Sequence, residues 1–258
     1  MNSEKYQTLE NNQQGIKKEK YDLLLNDSIN KLNNIDLKFK EWFIGFIEGD
    51  GSFYITNGKP IFSIHLNIID LPLLYLIQSE LNMGSISFNK NKRTTIFTVK
   101  AKVDILTLIL LFNGNLFLTK RKVQFNKWVE IFNKKYNFNV NIKINQFVPS
   151  FNNGWISGFT DAEGSFLVSI IKKENTNKII QRFILSQKDS KEELNYLKTL
   201  VKGYVEISKG CDRLVINYLE LENIINYFKN FPLCKIEILH FVNWNLLEKI
   251  IIIQLRKN

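Results

Sequence analysis

The chain has 258 residues, and its 35 lysines and arginines against 25 aspartates and glutamates give a net charge of +10 and a sequence pI near 9.4. That length can bury a large core, and the charge favours a polyanionic partner. Two cysteines (Cys211, Cys234) and two histidines (His65, His240) exclude a disulfide scaffold, a zinc site and a histidine ligand cluster, and no apolar run reaches membrane-spanning length: residues 103–112, VDILTLILLF, are short and charge-interrupted.

In chain order, residues 1–37 are polar and lack a strong apolar rhythm. Their acids (Glu4, Glu10, Glu19, Asp22) are unlike an organellar transit peptide. The segment reads as a flexible leader with a short helix near 21–25. Residues 42–53, WFIGFIEGDGSF, begin as an apolar helix through Trp42, Phe43, Ile44, Phe46 and Ile47. The helix ends at Asp50-Gly51, where Gly51 suits the left-handed position that closes a helix. Alternation of Phe53 and Ile55 with Ser52, Tyr54 and Thr56 then reads as a strand. A second strand carries Phe62, Ile64 and Leu66 on one face and Ser63, His65 and Asn67 on the other. A helix near 71–81 precedes Gly84, followed by strands SISF (85–88) and RTTIFTV (93–99). A helix bearing Phe125-x-x-Trp128 closes this half, both residues being expected in the core. Residues 139–153, with clustered Asn and Pro149, read as a linker.

Then the phrase returns. Residues 155–166 read WISGFTDAEGSF, with six identities to residues 42–53 at an offset of 113. That period is too long for a solenoid unit and indicates two similar halves, 38–138 and 154–258, related by an approximate two-fold axis. The second half repeats the order: a helix near 191–201 before Gly203, strands YVEIS (204–208) and RLVIN (213–217), and Phe241-x-x-Trp244. Gly45 and Gly49, matched by Gly158 and Ala162, lie four residues apart and so on one helix face. Without bulky side chains, the two helices can pack closely against each other. Glu48 and Asp50, like Asp161 and Glu163, fall in the last helical turn, where the helix dipole disfavours carboxylates. Divalent cations would offset that charge, with carboxylate and carbonyl oxygens as hard ligands.

These paired phrases resemble the motif of the LAGLIDADG homing endonucleases, in FIGFIEGDG (43–51) and ISGFTDAEG (156–164), and the resemblance covers about 38–258. Two motifs in one chain look like the single-chain, pseudo-symmetric members. Departures are Glu48 for the first Asp, Glu163 for the last Asp of the second motif, and the less apolar Ser157 and Thr160. The resemblance implies an α+β fold of two αββαββα half-domains, packed through the motif helices, with antiparallel sheets forming a saddle over DNA. It implies that Asp50 and Glu163 bind catalytic metals, joined by the carbonyls of Gly49 and Ala162. Mg²⁺ is the expected ion, and Mn²⁺ or Ca²⁺ fit the same sites. Lys120 and Lys235 match the family's active-site lysine, with Arg121 a close competitor to Lys120. Gln187 and Asn67 are candidates for water-organising amides.

Strand alternation places Phe53, Ile55, Phe62, Ile64, Leu66, Phe166, Val168, Ile170, Phe183 and Leu185 toward the helices. The DNA-facing set is then Tyr54, Thr56, Ser63, His65 and Asn67, with Ser87, Asn89 and Arg93 from the later strands. In the second half it is Leu167, Ser169, Ile171, Arg182, Ile184 and Ser186, with Glu206, Ser208 and Arg213. Two-stranded ribbons can read bases in the major groove, while lysines act mainly on phosphates. The expected activity is site-specific hydrolysis of both strands of a long double-stranded DNA target, leaving a staggered cut, by a monomer. Alternatives on the same fold are an intron RNA maturase and a cleavage-silent DNA-binding protein. Richness in Asn, Ile and Lys, whose codons are AT-rich, points to an organellar, mitochondrial genome.

Overall fold

The computed structural model describes residues 3–89, 91, 93–144, 147–172, 177–217, 220–234 and 241, with side chains from residue 19 onward except 170–179. Lys235 and Trp244, and the side chains of Ile170 and Ile171, lie outside the described set.

Each half follows one plan. In the first, α2 (Leu37–Asp50) runs into the hairpin β1 (Gly51–Thr56) and β2 (Lys59–Asn67). A 3₁₀ turn (Ile68–Asp70), α3 (Leu71–Leu81), β3 (Ser85–Asn89) and β4 (Thr94–Val99) follow, then α4 (Lys102–Phe112) and α5 (Thr119–Tyr136). In the second, α6 (Trp155–Glu163) leads to β5 (Gly164–Lys172), β6 (Asn177–Gln187), α7 (Lys191–Val201), β7 (Tyr204–Ser208), β8 (Cys211–Asn217) and α8 (Leu221–Asn230). Each half holds one four-stranded antiparallel sheet, ordered β1-β2-β4-β3 and β5-β6-β8-β7. Two of the hairpins turn through Asn57-Gly58 and Lys209-Gly210, all four residues at positive φ. That is the type I′ geometry whose twist matches the flanking strands.

The cores match as well. Phe53, Phe62, Phe112, Phe125 and Trp128 interlock under the first sheet. Phe166, Phe183, Phe228 and Phe241 do so under the second. Phe125 and Trp128 are buried, as expected of core residues. Ile55 and Val168 share the helix-facing register with Phe53 and Phe166 but are 46% and 37% exposed. They sit on the outer stretch of their hairpins, two residues further from the motif helices than those phenylalanines.

Residues Ser3–Asn34 form one helix, α1, in place of the expected leader with a short helix. Its C-terminal part docks on α4. Ser28 Oγ donates to the Val103 carbonyl at 3.1 Å, Thr107 Oγ1 donates to the Ser28 carbonyl at 3.4 Å, and Lys31 pairs with Asp104 at 2.5 Å. Tyr21, Leu24, Leu25 and Leu32 pack on the core at helical spacing. Covered by α1 on one side and its own half on the other, α4 is buried almost all round, which accounts for its unbroken apolar run. No helix among the described residues is long and apolar enough to cross a membrane.

Candidate active site and nucleic-acid interface

The halves meet where α2 crosses α6, the most extensive helix packing among the described residues. A Cβ added to Gly45 would lie 2.0 Å from the Trp155 carbonyl oxygen, and one on Gly158 would lie 1.8 Å from that of Trp42. Only glycine allows this approach. The contact continues to the helix ends, where a Cβ on Gly49 would meet Ala162 Cβ at 2.4 Å and Glu163 Cγ at 2.8 Å. Gly51, expected to be left-handed, and its counterpart Gly164 are extended, with φ of −76° and −81°. Their role is steric: each strand leaves its helix so sharply that a Cβ would lie 2.6 Å from the Ile47 oxygen or 2.5 Å from the Thr160 oxygen.

The four motif acids separate into two kinds. Glu48 and Asp161 are fully buried and act as crossed brackets between the halves. Trp155 Nε1 donates to Glu48 at 2.9 Å, and Trp42 Nε1 donates to Asp161 at 2.8 Å. Glu48 also accepts the Phe117 and Leu118 amides at 2.7 and 2.5 Å, and Asp161 accepts the Cys234 amide at 2.8 Å. These two carboxylates therefore need no cation to offset them. Burial nevertheless dominates at Glu48, raising its pKa from 4.5 to about 7 against the opposing pull of its donors.

Asp50 and Glu163 are half-buried at the paired helix ends, and Arg121 reaches to the end of α2 beside them. Its Nε donates to the Glu48 carbonyl at 2.7 Å, Nη2 donates to the Gly49 carbonyl, and Nη1 donates to Gln124 Oε1 at 3.0 Å. Burial lowers its pKa, while the charges of Glu48, Glu163 and Asp50 work to raise it. Glu193 of the second half accepts the Thr119 amide at 2.9 Å, so acids from both halves hold the start of α5. With Phe117 and Leu118 pinned by Glu48, residue 121 turns toward the acids and residue 120, about 100° away on the helix, turns outward. Lys120 is accordingly exposed, and its close competitor Arg121 is the residue that reaches the end of the motif helix.

Gln187 joins the site, its Nε2 donating to Glu163 Oε1 at 3.3 Å. Asn67 does not: its Oδ1 accepts the Ile69 amide at 3.1 Å and caps the 3₁₀ turn. Among the described residues no three His, Cys, Asp or Glu side chains cluster as metal ligands. Two carboxylates and nearby carbonyls are hard donors that fit Mg²⁺ or Ca²⁺, provided other oxygens complete the shell. At Gly49 the carbonyl already accepts from Arg121.

The expected base-facing residues share the sheet faces turned away from the helices. Strand register aligns Tyr54, Ser63, His65, Asn67, Ser87 and Asn89 with Ser52, Thr94, Ile96, Thr98 and Ser85. Thr56 is exposed at the hairpin end, and Arg93 is exposed at positive φ just before β4. In the second sheet Leu167, Ser169, Arg182, Ser186, Glu206, Ser208 and Arg213 share a face with Ser165 and Asn217. Ile171 lies in the same register. Two expectations fail on burial. Ser63 is 0% exposed, its hydroxyl 3.1 Å from His65 Nε2, and Ile184 is 2% exposed beside the equally covered Val215. Both are short or mid-length side chains on inner strands, overtopped by their neighbours. Arg213 pairs with Glu206 at 3.4 Å, and Arg182 Nε has no hydrogen-bond partner among the described residues. Thr94 and Thr98 of β4 and Asn217 of β8 were missed because register, not local sequence, assigns them to this face.

The family model of the LAGLIDADG endonuclease matches residues 43–132 and 156–247. The Neurospora crassa protein "Probable intron-encoded endonuclease 4" is 38% identical over 220 residues, covering 83% of this chain and 40% of that protein. The Saccharomyces cerevisiae "Intron-encoded RNA maturase bI4" is 27% identical, covering 83% of this chain and 35% of that protein. The chain thus spans well under half the length of these two relatives. Among solved structures, the homing endonuclease I-GzeII in complex with its DNA target superposes with a TM-score of 0.69 at 22% identity, covering 85% of this chain and 92% of that one. I-LtrWI bound to target DNA gives 0.67 at 22% identity, covering 84% and 91%. These two likenesses support the two-half fold.

Proposed function

The chain belongs to the LAGLIDADG endonuclease family, and from that premise we propose that it cuts both strands of a long, specific double-stranded DNA site with divalent metal ions, leaving staggered ends. The observation that carries this reading is the close approach of the two motif-helix ends, Gly49 against Ala162 and Glu163, which gathers one motif acid from each half beside the carbonyls that Arg121 holds. One acid per half matches one cut per strand. The two sheets extend from that point, each presenting a largely polar face. Solved relatives bound to DNA targets support a duplex partner.

Asp50 and Glu163 would hold Mg²⁺, and DNA phosphate oxygens would complete its shell. When bound, the ion supplies Lewis-acid charge at the scissile phosphate and lowers the pKa of water. Gln187 fixes the Glu163 carboxylate and offers an amide near the attacking water. Arg121 keeps positive charge at the junction of the two acids, and the sheet faces set which sequence lies over them. The protein acts as a monomer, because the two motifs of one chain already supply both acids. A fungal mitochondrial setting is supported by the richness in Asn, Ile and Lys, whose codons are AT-rich, and by relatives named intron-encoded or mitochondrial.

The test is cleavage of a randomised duplex library with Mg²⁺. Wild type is expected to enrich one long cut site, while Asp50→Asn and Glu163→Gln bind it and lose cleavage by at least about a hundredfold. Duplex binding without cleavage by wild type would reject the nuclease reading. The likeness to an RNA maturase favours a second reading, intron RNA binding on the same fold. It predicts tight binding to the host intron that survives Asp50→Asn.

A further inference from the structure

Helix α2 ends abruptly. The Gly51 amide returns to the Ile47 carbonyl and β1 begins at once, so the Glu48 and Gly49 carbonyls lie past the last intrahelical donor. Such carbonyls carry the negative end of the helix dipole, here beside Asp50 and Glu163. Arg121 reaches across from α5 and donates to both, through Nε at 2.7 Å and through Nη2. The planar guanidinium suits two successive acceptors, whereas a lysine offers a single point of charge. The arrangement is locked from both sides. Glu48 accepts the amides at the start of α5 through its side chain, and its own carbonyl accepts from Arg121 of α5. Gln124, one turn along α5, accepts the remaining arm at 3.0 Å.

We propose that Arg121 is a positioning residue that serves as a tethered counter-cation at the end of α2 and competes with a divalent cation for the Gly49 carbonyl. The inference rests on the reading of Asp50 and Glu163 as cation-binding acids. In the metal-free protein the guanidinium offsets the charge gathered at the helix ends. When a cation arrives it must either forgo the Gly49 oxygen or displace one arm of Arg121. Asp50 therefore binds its ion more weakly than its carboxylate and adjoining carbonyl would allow. The second motif has no matching fork available from sequence: between Leu233 and Trp244 the only lysine or arginine is Lys235. The two motifs are thus expected to differ in cation affinity although their acids are alike in kind.

The experiment uses the full chain and Ca²⁺ alone as probe, without DNA. Thermal unfolding in chelator and in Ca²⁺, with calorimetric titration of Ca²⁺, compares wild type with Arg121→Met, Arg121→Lys and Asp50→Asn. Arg121→Met is expected to unfold at lower temperature in chelator, to regain more of that loss in Ca²⁺, and to bind Ca²⁺ on the order of tenfold more tightly. Arg121→Lys keeps the charge but not the fork, and falls between. If Arg121→Met does not fold, the tighter Ca²⁺ binding of Arg121→Lys carries the result. A purely structural arginine would lower the unfolding temperature equally in both conditions and leave Ca²⁺ affinity unchanged, which would overturn the proposal. If wild type shows Ca²⁺ binding that Asp50→Asn loses, such a failure rests on Arg121 alone. Absence of Ca²⁺ binding in wild type and all variants would overturn this inference, which concerns the DNA-free protein, while the metal reading is decided separately by the Mg²⁺ cleavage assay, where phosphate oxygens join the shell.

Discussion

At the residue scale, Glu48 is the most consequential surprise. A motif acid that the sequence places in the same last helical turn as Asp50 is instead fully buried and committed to three donors. Its folded pKa of about 7 exceeds the ordinary 4.5. The native state then holds a proton that the unfolded chain releases between those values. Stability from this group is full below pH 4.5 and is lost as pH rises through about 7. Urea unfolding of wild type at pH 5 and pH 8 should show that decline, and Glu48→Gln should flatten it. The substitution itself costs about 1–3 kcal/mol, because the Gln amide must face a donor. An unchanged pH slope in Glu48→Gln would assign the decline to another group. The local sequence could not separate Glu48 from Asp50, since their difference lies in what comes from residues 117, 118 and 155.

At the element scale, much was legible and the gaps have definite causes. Motif helices, hairpins and the acids at the helix ends follow from periodicity and repetition, which are local. The choice between Lys120 and Arg121 was not legible, because the phase of α5 is fixed by Glu48 from another helix. The docking of α1 was hidden for a similar reason: its modest apolar stripe makes sense only against α4. The exposure of Ser63 and Ile184 depends on cross-strand neighbours that alternation along one strand cannot reveal. The crossing of α2 and α6 gives a sharp test. Gly158→Ala places a methyl 1.8 Å from a backbone oxygen, so the helices must separate. A loss of about 4 kcal/mol or more is expected in chemical denaturation, at the far end of what single substitutions do. On the strands, Arg213→Ala should weaken binding to the preferred site by about 1–3 kcal/mol and relax specificity at one base pair. Arg182→Ala should relax a position about four base pairs further out, since the two arginines lie four residues apart along the paired strands. Uniform weakening over all sequences would mark either arginine as a phosphate contact.

At the scale of the whole molecule, the net charge of +10 and the paired sheets act together. Duplex affinity should fall linearly in a log–log plot against salt, with a steep negative slope that reports released counterions. A salt-independent affinity would disprove the electrostatic share of binding. Sedimentation should give a 30.3 kDa particle when free and a complex of one such chain per duplex when bound. The crossed brackets beneath the saddle have one more consequence, which concerns descent. In two identical halves, each tryptophan would meet the same acid in the same setting. Here a glutamate spans Trp155 and two amides, while an aspartate, one methylene shorter, spans Trp42 and the Cys234 amide. Drift of this kind makes each half a better match for its sibling than for a copy of itself. The two halves made as separate chains are therefore expected to pair with each other rather than each with a copy of itself.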